Sequence, residues 1–238
     1  MKQSVIMSLC VPLLGACAEN GFDPLSALAP SAGEVQELDS ASTSQLYLSV
    51  VNGLLAQGRY RAALAYLDQY AVKEKRTPHF RQLHGEALLG TEQYDEAIAA
   101  FSSLESTGLA PEGFNGLGRV KAAQGDWPVA ISNFERAVAL RPSSAEFLNN
   151  LGYARLVVGG DSLGKAEFNL LQAQELDPAS ESIRTNLLIA LTLAGKDEEA
   201  ERLLSGIPAS KKRAEVRRFA ADWVKQHQVV ADAAKEDM

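Results

Sequence analysis

The sequence predicts an all-α fold built from repeated pairs of helices. In the unit at 111–144, Phe134 and Ala137 follow an alanine at helical spacing, so the three side chains share one helix face. Gly125 supplies a turn before that helix, and Pro142 ends it. Small side chains at a regular period let successive helix pairs pack closely, which predicts a stacked array. The alanines recur with spacings of 34, 33, 36 and 34 residues, at Ala63, Ala97, Ala130, Ala166 and Ala200.

The same unit carries a recognisable repeat signature. Phe114 comes first, then the pair Leu117-Gly118, then the Ala, Phe and Ala already described, and finally the proline. That order and spacing resemble the tetratricopeptide (TPR) repeat, a helix–turn–helix unit of about 34 residues. The resemblance implies a TPR solenoid of about five units with a C-terminal capping helix. Within an array at 44–226, we assign the units to 44–77, 78–110, 111–144, 145–180 and 181–212, and the capping helix to 213–226.

The two ends of the array depart from the signature. Val51 and Leu188 stand where the first and last units would have the helix-packing glycine. Such departures are expected, because a terminal repeat has no neighbour on one side. The run at 205–208 contains glycine and proline and predicts an early end to the last paired helix. The polar, alanine-rich tail at 227–238 is predicted to fray.

Composition and motifs argue against several classes of function. The 238-residue chain is 46% hydrophobic and 22% charged, as in soluble globular proteins, and its net charge of −7 disfavours nucleic acid as a partner. His79, His84 and His227 have no metal-ligand spacing to one another or to cysteine. The sequence has no phosphate-binding, dinucleotide-binding or G-x-S-x-G nucleophile motif. We therefore expect no catalytic residue, no metal and no cofactor.

The N-terminus resembles a bacterial lipoprotein signal. Lys2 precedes an apolar stretch at 5–14, too short to span a bilayer, and the run Leu14-Gly15-Ala16-Cys17 is similar to a lipobox. The resemblance implies that residues 1–16 are removed as a signal peptide and that Cys17 is diacylated. An ordinary secretory signal, or an apolar start without targeting function, remains an alternative.

The residues after this cysteine complete the interpretation. Ala18, rather than aspartate, comes next, which by resemblance to Gram-negative lipoproteins implies the outer membrane, facing the periplasm. Residues 17–43 are rich in Ala, Ser and Pro and predict a lipidated, flexible tether. Cys10 lies in the segment to be removed, so no disulfide is expected in the mature chain.

The TPR resemblance also implies a binding surface. In that family the first helices of successive units line an inner, concave face. Amide and guanidinium groups there hydrogen-bond a partner segment, and an aromatic ring adds apolar area. Simple solvated polar positions are the alternative. The candidates are Asn52, Gln82, Glu86, Asn115, Arg119, Asn149 and Tyr153.

Not every polar residue near this surface is expected to bind a partner. Asn150 and Asn186 stand one place after the candidate position of their units and are predicted to serve the packing between repeats. Arg119 alone fits the carboxylate clamp of chaperone-binding TPR proteins, so recognition of a partner's C-terminus is not expected. A basic cluster at 211–218 is interpreted either as a docking surface for an acidic partner or lipid, or as a solvated helix face.

A lipobox ahead of TPR units narrows the function. Outer-membrane lipoproteins of this build resemble assembly factors for pili and secretins, most of all the TPR lipoprotein of the tight-adherence (Tad/Flp) pilus apparatus. The resemblance implies a non-catalytic scaffold that binds a secretin or another pilus or secretion component. Two alternatives stay open: an envelope adaptor that docks cell-wall enzymes, and a TPR module attached to an enzyme.

Overall fold

The computed structural model describes residues 40–73, 75–207 and 210–236. Every regular element in these ranges is helical and none is a strand, so the predicted all-α repeat fold is confirmed. No helix within them is long and apolar enough to cross a bilayer. The predicted signal peptide, Cys17 and most of the tether lie outside the described residues.

In the described ranges, ten α-helices form five consecutive pairs in the order of the predicted units, but the first helix begins at Ser40, inside the segment that we predicted as a flexible tether. A short 3₁₀ helix, Gly160–Ser162, joins the fourth pair, and a final helix, α11 (Ser210–Glu236), follows the fifth. The pairs are α1 (Ser40–Ala56) with α2 (Tyr60–Lys73), α3 (Pro78–Gly90) with α4 (Tyr94–Ser102), α5 (Ala110–Ala123) with α6 (Trp127–Leu140), α7 (Ala145–Val158) with α8 (Leu163–Leu176), and α9 (Glu181–Leu193) with α10 (Asp197–Ser205).

Small residues let the helices of a pair approach closely, as the repeat signature predicts. A Cβ placed on Gly152 of α7 would lie 2.6 Å from Cγ of Leu170 on α8, and one on Gly85 of α3 would lie 2.8 Å from the Phe101 ring on α4. The recurring alanine of the second helix is buried in every pair. Because protein interiors are close-packed, these contacts fix how the two helices of a unit meet.

The turns inside the pairs use the left-handed backbone conformation. Gly125 has a φ of 79° between α5 and α6, as its place in the signature predicts. In the second pair the corresponding residue is Glu92, with a φ of 63°. An L-residue adopts this conformation at a cost, so the packing of the flanking helices must hold the turn in place.

The C-terminal helix is longer than predicted. We placed the capping helix at 213–226 and a fraying tail after it, but α11 begins at Ser210 and continues to Glu236. The prediction was wrong because residues 227–236 contain neither glycine nor proline and are rich in alanine, a strong helix former. The helix α11 packs mainly against α9 and buries Ala220, Trp223 and Val224.

His84 on α3 is a partly buried titratable group between the first two pairs. Its ring stacks on Phe80 with centroids 5.5 Å apart. Burial lowers the pKa of His84, the carboxylate of Asp68 at 4.0 Å opposes this, and Arg76 lowers the pKa further. The folded chain therefore binds this proton less readily than the unfolded chain does.

We expect acid to destabilise the array through His84. As the pH falls through about 6.5, the unfolded state takes up the proton first, so stability present at neutral pH is lost. The melting temperature should fall between about pH 7.5 and about pH 5.5, and His84→Gln should make that fall smaller. The exposed His79 provides the control, since His79→Gln should leave the pH dependence unchanged. Equal pH dependence of the wild type and His84→Gln would contradict the assignment.

Candidate functional site

The first helices of the first four pairs line a groove of about 370 Å³, here called the polar groove. Five of the seven candidate residues lie along it: Asn52, Gln82, Glu86, Asn115 and Arg119. Sequence reasoning missed Glu112 and Glu146, which also line it. Their positions in the sequence could have indicated this, because each glutamate stands about one helical turn before a candidate asparagine, Asn115 or Asn149.

A second, more apolar cavity of about 290 Å³ continues from the polar groove. We call it the apolar depression; it is lined by Leu89, Ala122, Ala123, Trp127, Phe134, Asn150 and Tyr153, and it shares Arg119 with the polar groove. Tyr153, the sixth candidate, meets Trp127 edge to face, with ring centroids 6.2 Å apart. The seventh candidate, Asn149, lines neither cavity. Together the two cavities form one surface, mainly on α1, α3, α5 and α7, to which α6 adds Trp127 and Phe134.

Arg119 is held in place by the preceding repeat. Its Nη1 atom donates to both carboxylate oxygens of Glu86, at 2.7 and 2.6 Å. Both side chains are partly shielded from water, at 35% and 24% exposure, which strengthens the pair relative to a fully solvated one. The guanidinium charge is therefore balanced within the fold.

Two candidate asparagines are used to join repeats. Asn115 is only 4% exposed; it donates to Glu146 Oε1 at 3.0 Å and accepts from Asn150 Nδ2 at 2.9 Å. Asn149 accepts in the same way from Asn186 Nδ2 at 2.9 Å. The predicted packing role of Asn150 and Asn186 agrees with these bonds. Contact of Asn115 or Asn149 with a partner stays a prediction.

The remaining polar groups of the groove differ in whether they have a partner in the described part of the chain. Asn52 is exposed and Gln82 is half-buried, and neither side chain makes a hydrogen bond there. Glu146 is exposed and bonds to Asn115 without a cation beside it. Glu112, by contrast, is bound by the guanidinium of Arg141. The surface thus offers two free amides and one uncompensated carboxylate.

The C-terminal helix limits this surface at the fourth repeat. Ile189 of α9 occupies the place that Tyr153 has in α7, and it is completely buried. Trp223 of α11 lies over this region and reaches the Tyr153 ring, with centroids 6.4 Å apart. Trp223 also stacks on His227, with ring centroids 3.7 Å apart. Part of the Tyr153 ring is therefore covered by the fold itself.

The basic cluster at 211–218 is also partly used within the fold. Lys212 pairs with Glu181 of α9 at 2.8 Å, and Arg217 pairs with Glu201 of α10 at 2.6 Å. The hydrogen bond between Lys212 and Glu181 raises the pKa of the lysine and lowers that of the glutamate. These contacts join α11 to the fifth pair and favour the structural interpretation of the cluster.

A stack of helix pairs with a groove along its first helices defines the class of helical-repeat scaffolds. Family models described as "Tetratricopeptide repeat" and "TPR repeat" match residues 51–113 and 118–158. The chain is 33% identical over 210 residues to the TPR repeat-containing protein PA4299 of Pseudomonas aeruginosa, covering 86% of this chain and 78% of that protein. The chain therefore belongs to the tetratricopeptide-repeat family. TPR-repeat proteins are in general non-catalytic scaffolds that bind other proteins.

Solved structures agree with the fold. The TPR protein TTC0263 of Thermus thermophilus superimposes with a TM-score of 0.62 at 21% identity, over 75% of this chain and 97% of that one. MamA (41-end) of Desulfovibrio magneticus RS-1 superimposes with a TM-score of 0.52 at 24% identity, over 74% and 96% of the two chains. Identities this low support the shared helical-repeat fold alone.

Proposed function

We propose that this protein is a lipid-anchored scaffold at the periplasmic face of the outer membrane. It binds a component of a pilus or secretion apparatus, such as a secretin, and assists its assembly or localisation. The binding role rests on the continuous surface that the polar groove and the apolar depression form. On this surface the side-chain amides of Asn52 and Gln82 have no hydrogen-bond partner in the described part of the chain. The lipobox-like run ending at Cys17 and the resemblance to Tad/Flp pilus lipoproteins support the anchor and the system.

Deletion of the gene distinguishes this proposal from its main alternative. Loss of pili and of surface adherence, with normal cell shape, is the expected result. Chaining, filamentation or lysis with intact pili would contradict the proposal and would favour an adaptor that docks cell-wall enzymes. Complementation with the intact gene controls for effects on neighbouring genes.

The anchor is tested by Cys17→Ser. Because serine has no thiol to accept the acyl group, we expect this variant to leave the outer-membrane fraction and to accumulate as a soluble or inner-membrane precursor. The matched control is Cys10→Ser, which removes the other cysteine of the chain and should fractionate as the wild type does. Membrane fractionation and immunoblotting give the readout. Outer-membrane recovery of Cys17→Ser at the wild-type level would refute the lipid anchor.

A further inference from the structure

The lining of the polar groove carries an excess of negative charge. Glu86, Glu112 and Glu146 face one cation, Arg119. Arg141 adds a second cation from outside the lining, where it binds Glu112. The carboxylates still outnumber the cations, and Glu146 is the exposed one without a cationic partner in the described ranges. A positively charged side chain is therefore the complement of this groove, and an acidic one is repelled.

Arg119 does not offset this preference. Both oxygens of Glu86 accept from its Nη1 atom, so a partner's carboxylate would have to compete with a bond already made inside the fold. Breaking the pair would leave Glu86 uncompensated at a partly shielded site, which is costly. Among the described residues, the groove thus lacks a free cation with which to capture an acidic segment or a C-terminal carboxylate.

The distance between the two cavities sets the spacing of the bound side chains. Glu146 and Tyr153 lie on the same helix, seven residues apart in the sequence. At 1.5 Å of rise per residue they are about 10 Å apart along the helix axis. An extended chain advances about 3.3 Å per residue, so about three residues cover this distance. The free amides of Asn52 and Gln82 lie on the same groove and are suited to the backbone of an extended chain.

We propose that the surface binds an extended segment of a protein partner that carries a lysine or arginine and, about three residues away, a large apolar side chain. The basic side chain pairs with Glu146, and the apolar one enters the depression between Leu89, Trp127 and Tyr153. This inference rests on the proposed function and specifies the chemistry of the segment that is bound.

Two fluorescently labelled peptides test the charge preference. One contains Lys-Ser-Ser-Trp within a flexible Gly/Ser decapeptide, and the other has glutamate in place of the lysine. With the purified full-length protein in detergent, fluorescence anisotropy should show the lysine peptide binding at least about tenfold more tightly, since like charges in a binding site repel. Equal affinity, tighter binding of the glutamate peptide, or no binding of either would overturn the proposal.

Variants of the protein assign the preference to one carboxylate. Glu146→Gln should reduce the ratio of the two affinities several-fold and Glu146→Lys should abolish or reverse it. Glu96→Gln is the matched control, because Glu96 is an exposed carboxylate on α4 outside both cavities. Circular dichroism confirms that each variant is folded. An unchanged ratio in folded Glu146→Lys would overturn the pairing.

Cross-linking in intact cells separates this inference from the proposed function. A photoreactive amino acid replaces Gln82, and mass spectrometry identifies the protein and the segment attached to it. A pilus or secretion component joined through a basic, apolar-containing segment supports both proposals. The same component joined through an acidic segment or its C-terminus overturns the inference alone. No adduct, or an adduct only to a cell-wall enzyme, contradicts the proposed function.

Discussion

We expect Gly118→Leu to lower the free energy of unfolding by about 3 kcal/mol or more. A Cβ on Gly118 would lie 2.5 Å from Cε1 of Phe134, well inside van der Waals contact, and the rest of a leucine side chain would need still more space. Phe134 is itself only 3% exposed and packs against Ala130, Leu151 and Ala154, so displacing its ring would break these contacts. The substitution therefore either separates α5 from α6, at the centre of the array, or displaces the Phe134 ring, and both changes lose core packing.

The effect is measured by urea denaturation monitored by circular dichroism. Gly53→Ala is the matched control: it also adds carbon to a glycine inside a helix, but apart from the adjacent residues and the backbone of the same helix no atom lies within 4 Å of the new Cβ. That change should stabilise the protein by about 0.5–1 kcal/mol, because alanine favours the helix. A Gly118→Leu variant as stable as the wild type would show that the small residues of the repeat are not required for packing.

The repeat units were predictable because their determinants are local. Ala130, Phe134 and Gly125 act within one helix pair, so their spacing in the sequence carries the same information as their contacts. The end of α11 was not predictable in this way. The tail after residue 226 is polar, which suggested fraying, but it contains no residue that breaks a helix.

The position of the candidate surface was also predictable, but which of its side chains are already bonded within the fold was not. The place of a residue in its unit predicts that Arg119 and Asn115 lie on the inner face, which the first helices line. It does not show that Arg119 is bound to Glu86, because the two residues are 33 positions apart and meet only when adjacent repeats stack. The same holds for Asn149 and Asn186, which are 37 positions apart. Repeat patterns thus locate such a surface, whereas its free charges depend on contacts between repeats.

Trp223→Ala should destabilise the C-terminal end of the array by about 3 kcal/mol. The indole is 7% exposed and belongs to the cluster that includes Leu187, Ile189 and Leu204 of the fifth pair. Truncation would leave a cavity beside α9 and would remove the contact with Tyr153. Since stability in a repeat protein is approximately a sum of units and neighbouring interfaces, the loss should concentrate at this end.

Hydrogen exchange followed by mass spectrometry measures where the stability is lost. In Trp223→Ala we expect faster exchange in α9, α10 and α11, with α3 to α6 unchanged. Phe219→Ala is the matched control: it removes another aromatic ring from α11, but that ring is 56% exposed, so its effect should stay within about 0.5 kcal/mol. Uniformly faster exchange in Trp223→Ala would show that the array unfolds as a single unit. Equal effects of the two substitutions would mean that α11 does not cap the fifth repeat through Trp223.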